Sequence, residues 1–207
     1  VLDDGPGAAK LIGRARSLAE SSGSREALGW ALAIDASNAQ SGGDLSRAQD
    51  ELEESRTIFD EIGAAGRYAW ATTRLGSVLE QRGDLVAAEG LFRDAVRRLR
   101  TTHEHGYLVE AERQLAEVLL KRGRINEAER LALSARDAVG RDDVWTRASA
   151  RHALGLVRAA QGRIDEAEEL LAEALAILEP TMYKRFADEV RLDLAELRED
   201  VRAAVRP

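Results

Sequence analysis

Apolar residues recur along this chain at three- and four-residue spacing, in successive blocks closed by glycine or by small polar clusters. Over residues 7–20, Leu11, Ile12, Ala15 and Leu18 share one helical stripe, with Pro6 placed for the first turn. Ser21-Ser22-Gly23-Ser24 ends that pattern. A second helix is predicted from Arg25 to Gln40, closing at Gly42-Gly43. The next carries Leu45, Ala48, Leu52, Ile58 and Phe59, and closes at Gly63-Ala64-Ala65-Gly66. The pattern then returns. Leu75, Gly76 and Leu79 mark a helix over 67–82, and Leu85, Ala88, Leu91, Phe92, Ala95 and Leu99 mark its partner, which stops near Thr101-Thr102-His103. A third cycle shows Leu115, Ala116 and Leu119, then Ile125, Ala128, Leu131, Ala135 and Val139. A fourth shows Leu154, Gly155 and Val157, then Ile164, Ala167, Leu170, Leu171, Ala174 and Leu178, ending at Glu179-Pro180-Thr181. A last helix over 183–204 carries Phe186, Val190, Leu194 and Leu197.

The cycles share one register. Gly43, Gly83, Gly123 and Gly162 are 40, 40 and 39 residues apart, a period that marks a stacked repeat array. Each cycle is a pair of antiparallel helices, A then B. The glycine is expected just past helix A, where a left-handed residue reverses the chain. Asp44 and Asp84 follow as N-caps of helix B. Arg124 and Arg163 stand there in later cycles, and Asn126 and Asp165 are the expected substitutes. Ala36, Gly76, Ala116 and Gly155 on A, facing Ala48, Ala88, Ala128 and Ala167 on B, let the two helices approach closely.

This pattern resembles the tetratricopeptide repeat (TPR) family. Leu75-Gly76, Leu79, Gly83, Ala88, Phe92 and Ala95 fit its signature. So do Leu115-Ala116, Leu119, Gly123, Ala128 and Ala135, and Leu154-Gly155, Gly162, Ala167, Leu171 and Ala174. The first cycle departs, with Asp35 where leucine is usual and Ser55 where alanine is. The period exceeds the family's, which is about 34 residues; the surplus lies on the B-to-A side, 21 residues from Ala95 to Ala116. The family's early aromatic in helix A is replaced by Leu32, Thr72, Glu112 and Arg151. The resemblance implies an all-α fold, an α-α superhelix or TPR-like solenoid of about ten helices. Stretched arrays of this kind look like those attached to bacterial signalling proteins, such as nucleotide cyclases and ATPase-coupled transcriptional regulators.

The expected organisation is one array over residues 1–207. A lone helix B occupies 1–23, repeats occupy 24–63, 64–103, 104–141 and 142–180, and a capping helix occupies 181–207. In the first helix Ile12 and Ala15 fall where Phe92 and Ala95 fall. Its A partner is missing, which leaves an apolar stripe open to an upstream segment or another chain. In the last helix Leu194-Ala195 matches Leu75-Gly76, and Asp188, Arg191, Glu199, Asp200 and Arg202 give it the charged outer face of a cap.

Composition narrows function more than fold. The net charge is −7, which supplies no field for nucleic acid or an anionic membrane. The basic residues are nearly all arginine, with Lys10, Lys121 and Lys184 as the lysines. No cysteine is present, so disulfides, thiolate metal sites and cysteine nucleophiles are excluded. No apolar run approaches the roughly 18 residues of a membrane span. Val1-Leu2-Asp3-Asp4-Gly5 does not read as a signal peptide; it lacks an initiator methionine and reads as the start of a fragment. The expected location is the cytoplasm.

No phosphate-binding, hydrolase-elbow, zincin or EF-hand motif is present, and the expectation is a non-enzyme with no cofactor and no metal. His103-Glu104-His105 reads as a solvated connector, His152 as a lone helical histidine, and Glu127/Glu129 and Glu168/Glu169 as solvated faces near helix N-termini. Trp30 and Trp70 are 40 residues apart and occupy one register position. They either pack on helix B or face a ligand. Trp145 is out of register and reads as a turn anchor.

In TPR arrays the A helices line a concave groove. Projecting that line gives Trp30, Trp70, Thr73 and Ser77, then Glu110, Arg113 and Glu117, then Ser149, His152 and Leu156, with Glu189 and Glu196 on the last helix. Family members that clamp acidic tails use lysines and asparagines along this line, and none occurs here. The expected partner is a protein or peptide segment, neutral, apolar or basic and not acidic. The leading reading is an interaction or scaffold module in a larger bacterial regulator. A small-molecule or peptide-pheromone sensor, and self-association through the open first helix, are the alternatives.

Overall fold

The computed structural model describes residues 5–102, 104–138 and 143–205. The opening Val1-Leu2-Asp3-Asp4, His103 and Val139 lie outside the described residues. Among these, the chain forms ten helices and no strand: α1 (Gly5–Ser22), α2 (Arg25–Ser41), α3 (Leu45–Glu61), α4 (Ala65–Gln81), α5 (Leu85–Leu99), α6 (His105–Lys121), α7 (Ile125–Ala138), α8 (Val144–Ala160), α9 (Ile164–Leu178) and α10 (Lys184–Val205). In register, α2, α4, α6, α8 and α10 are the A helices and α1, α3, α5, α7 and α9 the B helices. Two compact units divide the chain, Val1–Glu104 with α1–α5 and His105–Pro207 with α6–α10.

The turns explain the period. Gly43, Gly83, Gly123 and Gly162 all take positive φ, from 73 to 84°, the left-handed conformation that glycine adopts without a Cβ clash. In the first, the Gly43 amide donates to the Gln40 carbonyl at 3.1 Å and the Asp44 amide to Ala39 at 2.9 Å, the paired bonds of a Schellman ending. Asp44 then accepts from the Arg47 amide, and Asp84 from the Ala87 amide. The later B helices start differently. No side-chain cap serves α9: neither Arg163 nor the expected Asp165 accepts an N-terminal amide. Arg163 instead pairs with Glu166, and Arg124 with Glu127. Asp165 contributes only through its charge in the first turn of α9.

Helix A meets helix B at the predicted small residues. A Cβ on Gly76 would lie 2.5 Å from the Phe92 ring, and one on Gly155 would lie 2.9 Å from Leu171. Ala36, Ala48, Ala88, Ala116, Ala128 and Ala167 are fully buried. In the first unit Ala36, Leu52, Leu75 and Val78 form one core, with Leu45 and Leu91 against it. In the second, Phe186, Ala187, Val190, Leu194 and Leu197 of α10 close a core over Leu171, Ala174 and Leu178 of α9. Asp188, Arg191, Glu199, Asp200 and Arg202 of α10 are exposed. At α1, Ala19 is buried while Leu11 and Leu18 are each 65% exposed. No described helix is long and apolar enough to cross a membrane.

Candidate functional site

In the first unit the A-helix register places Trp30 on α2 beside Trp70 on α4. Their ring centroids are 5.1 Å apart at 54°, and Trp30 also meets the edge of Phe59 on α3 at 5.5 Å. Both indoles are half-buried. They pack against Phe59 of helix B and against each other, and neither residue is fully buried. Thr73 does not reach that surface: it is 4% exposed, and its hydroxyl donates to the Ala69 carbonyl at 2.8 Å. Ser77, half-buried, donates to the Thr73 carbonyl at 3.3 Å. Both hydroxyls are thus bonded to their own helix.

In the second unit the same register carries charge. Arg113 on α6, expected at the surface, is 4% exposed. Three carboxylates draw it inward. Its Nη2 and Nε donate to Glu110 at 2.9 and 3.0 Å, and its Nη1 donates to Glu189 of α10 at 2.9 Å and to Glu117. The guanidinium lies 4.8 Å from the Phe186 ring centroid, a cation–π contact. His152 of α8, 1% exposed, places Nδ1 3.4 Å from Arg113 Nη1 and Nε2 2.6 Å from Asp193 Oδ2. Phe186 meets its ring edge-on at 5.5 Å. The projected line therefore folds into a network joining α6, α8 and α10. Glu110 and Glu117 are half-buried in it; Glu189 is exposed, as is Glu196 further along α10. Ser149, one turn before His152, is fully buried and its hydroxyl has no partner among the described residues. Leu156 is half-buried.

Burial alone would lower the Arg113 pKa, yet Glu110 and Glu117 hold it well above its ordinary value. Burial pushes the Glu117 carboxyl up, against the opposing pull of Arg113 and His152. Glu117, His152 and Glu189 bring possible metal-ligand atoms within 4.8 Å of one another. The place a cation would take there is filled by the guanidinium, which already bonds both carboxylates. Of the connector, Glu104 and His105 are exposed. Trp145 acts as the expected anchor at the start of α8. Asp143 Oδ1 accepts from its amide at 3.0 Å, and its ring packs 4.9 Å from both Tyr183 and Phe186.

Two clusters escape the sequence reading. Tyr68 on α4 donates to Asp94 at 2.8 Å beneath the Arg98 guanidinium, which lies 3.7 Å from the ring centroid and reaches Asp60 at 2.7 Å. Burial, then Asp94, raises the Tyr68 pKa. In the first repeat Arg47 reaches both Asp35 and Glu51, at 2.6 and 3.0 Å. The register contained the signal for Glu51, since it stands where Leu91, Leu131 and Leu170 stand in later cycles.

No curated protein matches the chain. Among solved structures, BtubC (BKLC) from P. vanneervenii is similar at TM-score 0.72 and 18% identity, over 94% of this chain and 82% of that one. A putative kinesin light chain from Podosopora anserina with TPR-like repeats is similar at TM-score 0.60 and 18% identity, over 86% and 89%. A variant of it aligns at TM-score 0.56 and 21% identity, over 83% and 92%. At these identities the likeness is one of fold, the all-α TPR-like solenoid. The family model of the MalT-like TPR region matches residues 10–207, and the chain belongs to that family.

Proposed function

We propose that this chain binds an extended protein or peptide segment along the A-helix faces of its first unit, with Trp30 and Trp70 as the apolar anchor. TPR-like repeats generally mediate protein–protein interaction. The observation that carries the reading is the Trp30–Trp70 pair, two half-buried indoles in contact at one register position of successive repeats. Such rings supply contact area at low entropic cost. The net charge of −7 favours a neutral or basic segment over an acidic one. We read residues 1–207 as one array of a larger bacterial, cytoplasmic signalling or transcriptional regulator, a setting in keeping with the MalT-like family. Binding without catalysis is the role.

The test is recovery of partners from a bacterial lysate by the chain and by Trp70→Ala. Loss of a specific partner supports the reading, and an unchanged set removes the aromatic face from it. Arg113→Ala is unsuited to this purpose because that side chain belongs to the interior. A sensor of small molecules or peptide pheromones is favoured by the same tryptophan pair, whose fluorescence would shift on binding. Self-association through Leu11 and Leu18 is tested by light scattering, where a monomer at high concentration counts against it.

A further inference from the structure

We infer that Glu51, bridged to Asp35 through Arg47 inside the first repeat, is a proton-binding carboxyl that takes up a proton from solvent on mild acidification and tightens the α2/α3 pairing that seats Trp30. The register makes the pair unusual. Later cycles place Leu75 with Leu91, Leu115 with Leu131, and Leu154 with Leu170 at these two positions. The first cycle replaces both leucines with acids and adds Arg47. That arginine bonds Asp35 Oδ2 at 2.6 Å and Glu51 Oε1 at 3.0 Å, one positive charge between two negative ones. Glu51 is 9% exposed, and its Oε2 is buried without a hydrogen-bond partner among the described residues. Two carboxylates offer acceptors only, whereas one protonated carboxyl supplies the missing donor.

On α3 itself Arg47 faces the pair, and from α2 Asp35 does. On α4 the Arg74 guanidinium donates to Gln40 at 2.9 Å, and on α1, packed against α2, Arg16 pairs with Glu20. Burial pushes the Glu51 carboxyl up, Arg47 pulls it back, and Asp35 adds to the rise, leaving it above its ordinary value. The sign follows. A carboxyl whose folded-state pKa exceeds its unfolded-state value favours folding when protonated, and that contribution is lost as pH rises through the folded-state pKa. The same interface holds the Ser55 hydroxyl bonded to the Gly29 carbonyl at 2.8 Å, next to Trp30. The inference stands whether or not the aromatic face binds a peptide.

Carboxyl NMR titration of the whole chain, with Glu51→Gln for assignment, tests the inference alongside thermal unfolding from pH 8 to pH 5. The Glu51 signal is expected to titrate above those of the exposed glutamates. Glu51→Gln is expected to unfold at a higher temperature than wild type at pH 8, with the gap closing towards pH 5. Asp35→Asn should move the Glu51 titration back towards the ordinary range while both proteins remain folded. A Glu51 signal that titrates with the exposed glutamates, or a gap independent of pH, overturns the inference.

Discussion

The A-helix register of the first unit is filled by Trp30, Trp70, Thr73 and Ser77; the second fills it with Glu110, Arg113, Glu117 and His152. Backbone and turn geometry repeat from one unit to the other, so the difference is one of side-chain chemistry. Indoles can pack on helix B and stay half-buried, because most of the ring is apolar and only its Nε1–H needs a partner. A guanidinium in the same column behaves otherwise. Surrounded by Glu110, Glu117 and Glu189, it gains more from charge-assisted bonds to three carboxylates inside than from water outside. The first unit therefore keeps two half-buried indoles in its column, while the second uses its column to tie α6, α8 and α10 together.

The sharpest way to break this contrast is to remove the guanidinium. Arg113→Ala leaves its carboxylates uncompensated and should cost about 3–5 kcal/mol of stability, as expected for a broken buried pair. Glu117→Gln keeps a hydrogen-bonding group opposite Arg113 and should cost only about 1 kcal/mol. Denaturant unfolding of the two variants separates these outcomes; equal, small losses would show that the network contributes little.

A smaller effect compares the two interhelical contacts. Gly76→Ala drives a Cβ into Phe92 and should destabilise by about 1–3 kcal/mol through overpacking. Ala116 already carries a methyl at the matching position, fully buried. Ala116→Gly should cost roughly 1 kcal/mol, from backbone entropy. Thermal unfolding of both variants checks the order. Smaller still is the difference in caps. Asp84→Ala should lose about 1 kcal/mol, whereas Arg163→Asp should gain roughly 0.5–1 kcal/mol by giving α9 the cap it lacks. The pair it removes, Arg163–Glu166, is half exposed and contributes at most about 1 kcal/mol. No gain in unfolding midpoint for Arg163→Asp would count against the cap argument.

Much of the architecture was legible because each signal is local. A glycine at 40-residue spacing sets a left-handed turn, an aspartate after it caps the next helix, and a small residue opposite Phe92 sets the approach. The candidate site was legible only in part. Register alone put Trp30 beside Trp70. It also put Arg113 on the face, but the burial of that side chain depends on Glu189 and Phe186, which are 76 and 73 residues away and belong to a different helix. Asp35 was visible as a departure from leucine. Glu51 stands in a leucine register too, but its contact with Arg47 and the burial of its carboxyl emerged only when the helices were placed face to face. Tyr68 gave no periodic signal, because its partners Asp94 and Arg98 come from another helix, and Asp60, which Arg98 reaches, from a third.

The central claim is that the aromatic face of the first unit carries the ligand. Selection from a random dodecapeptide library by wild type, followed by affinity measurement with wild type and with Trp70→Ala of unchanged helix content, tests it most directly. The account predicts neutral or basic peptides with an apolar anchor and at least a tenfold loss in the variant, equivalent to about 1.4 kcal/mol. Equal affinity for both proteins, or a set dominated by acidic peptides, would contradict it.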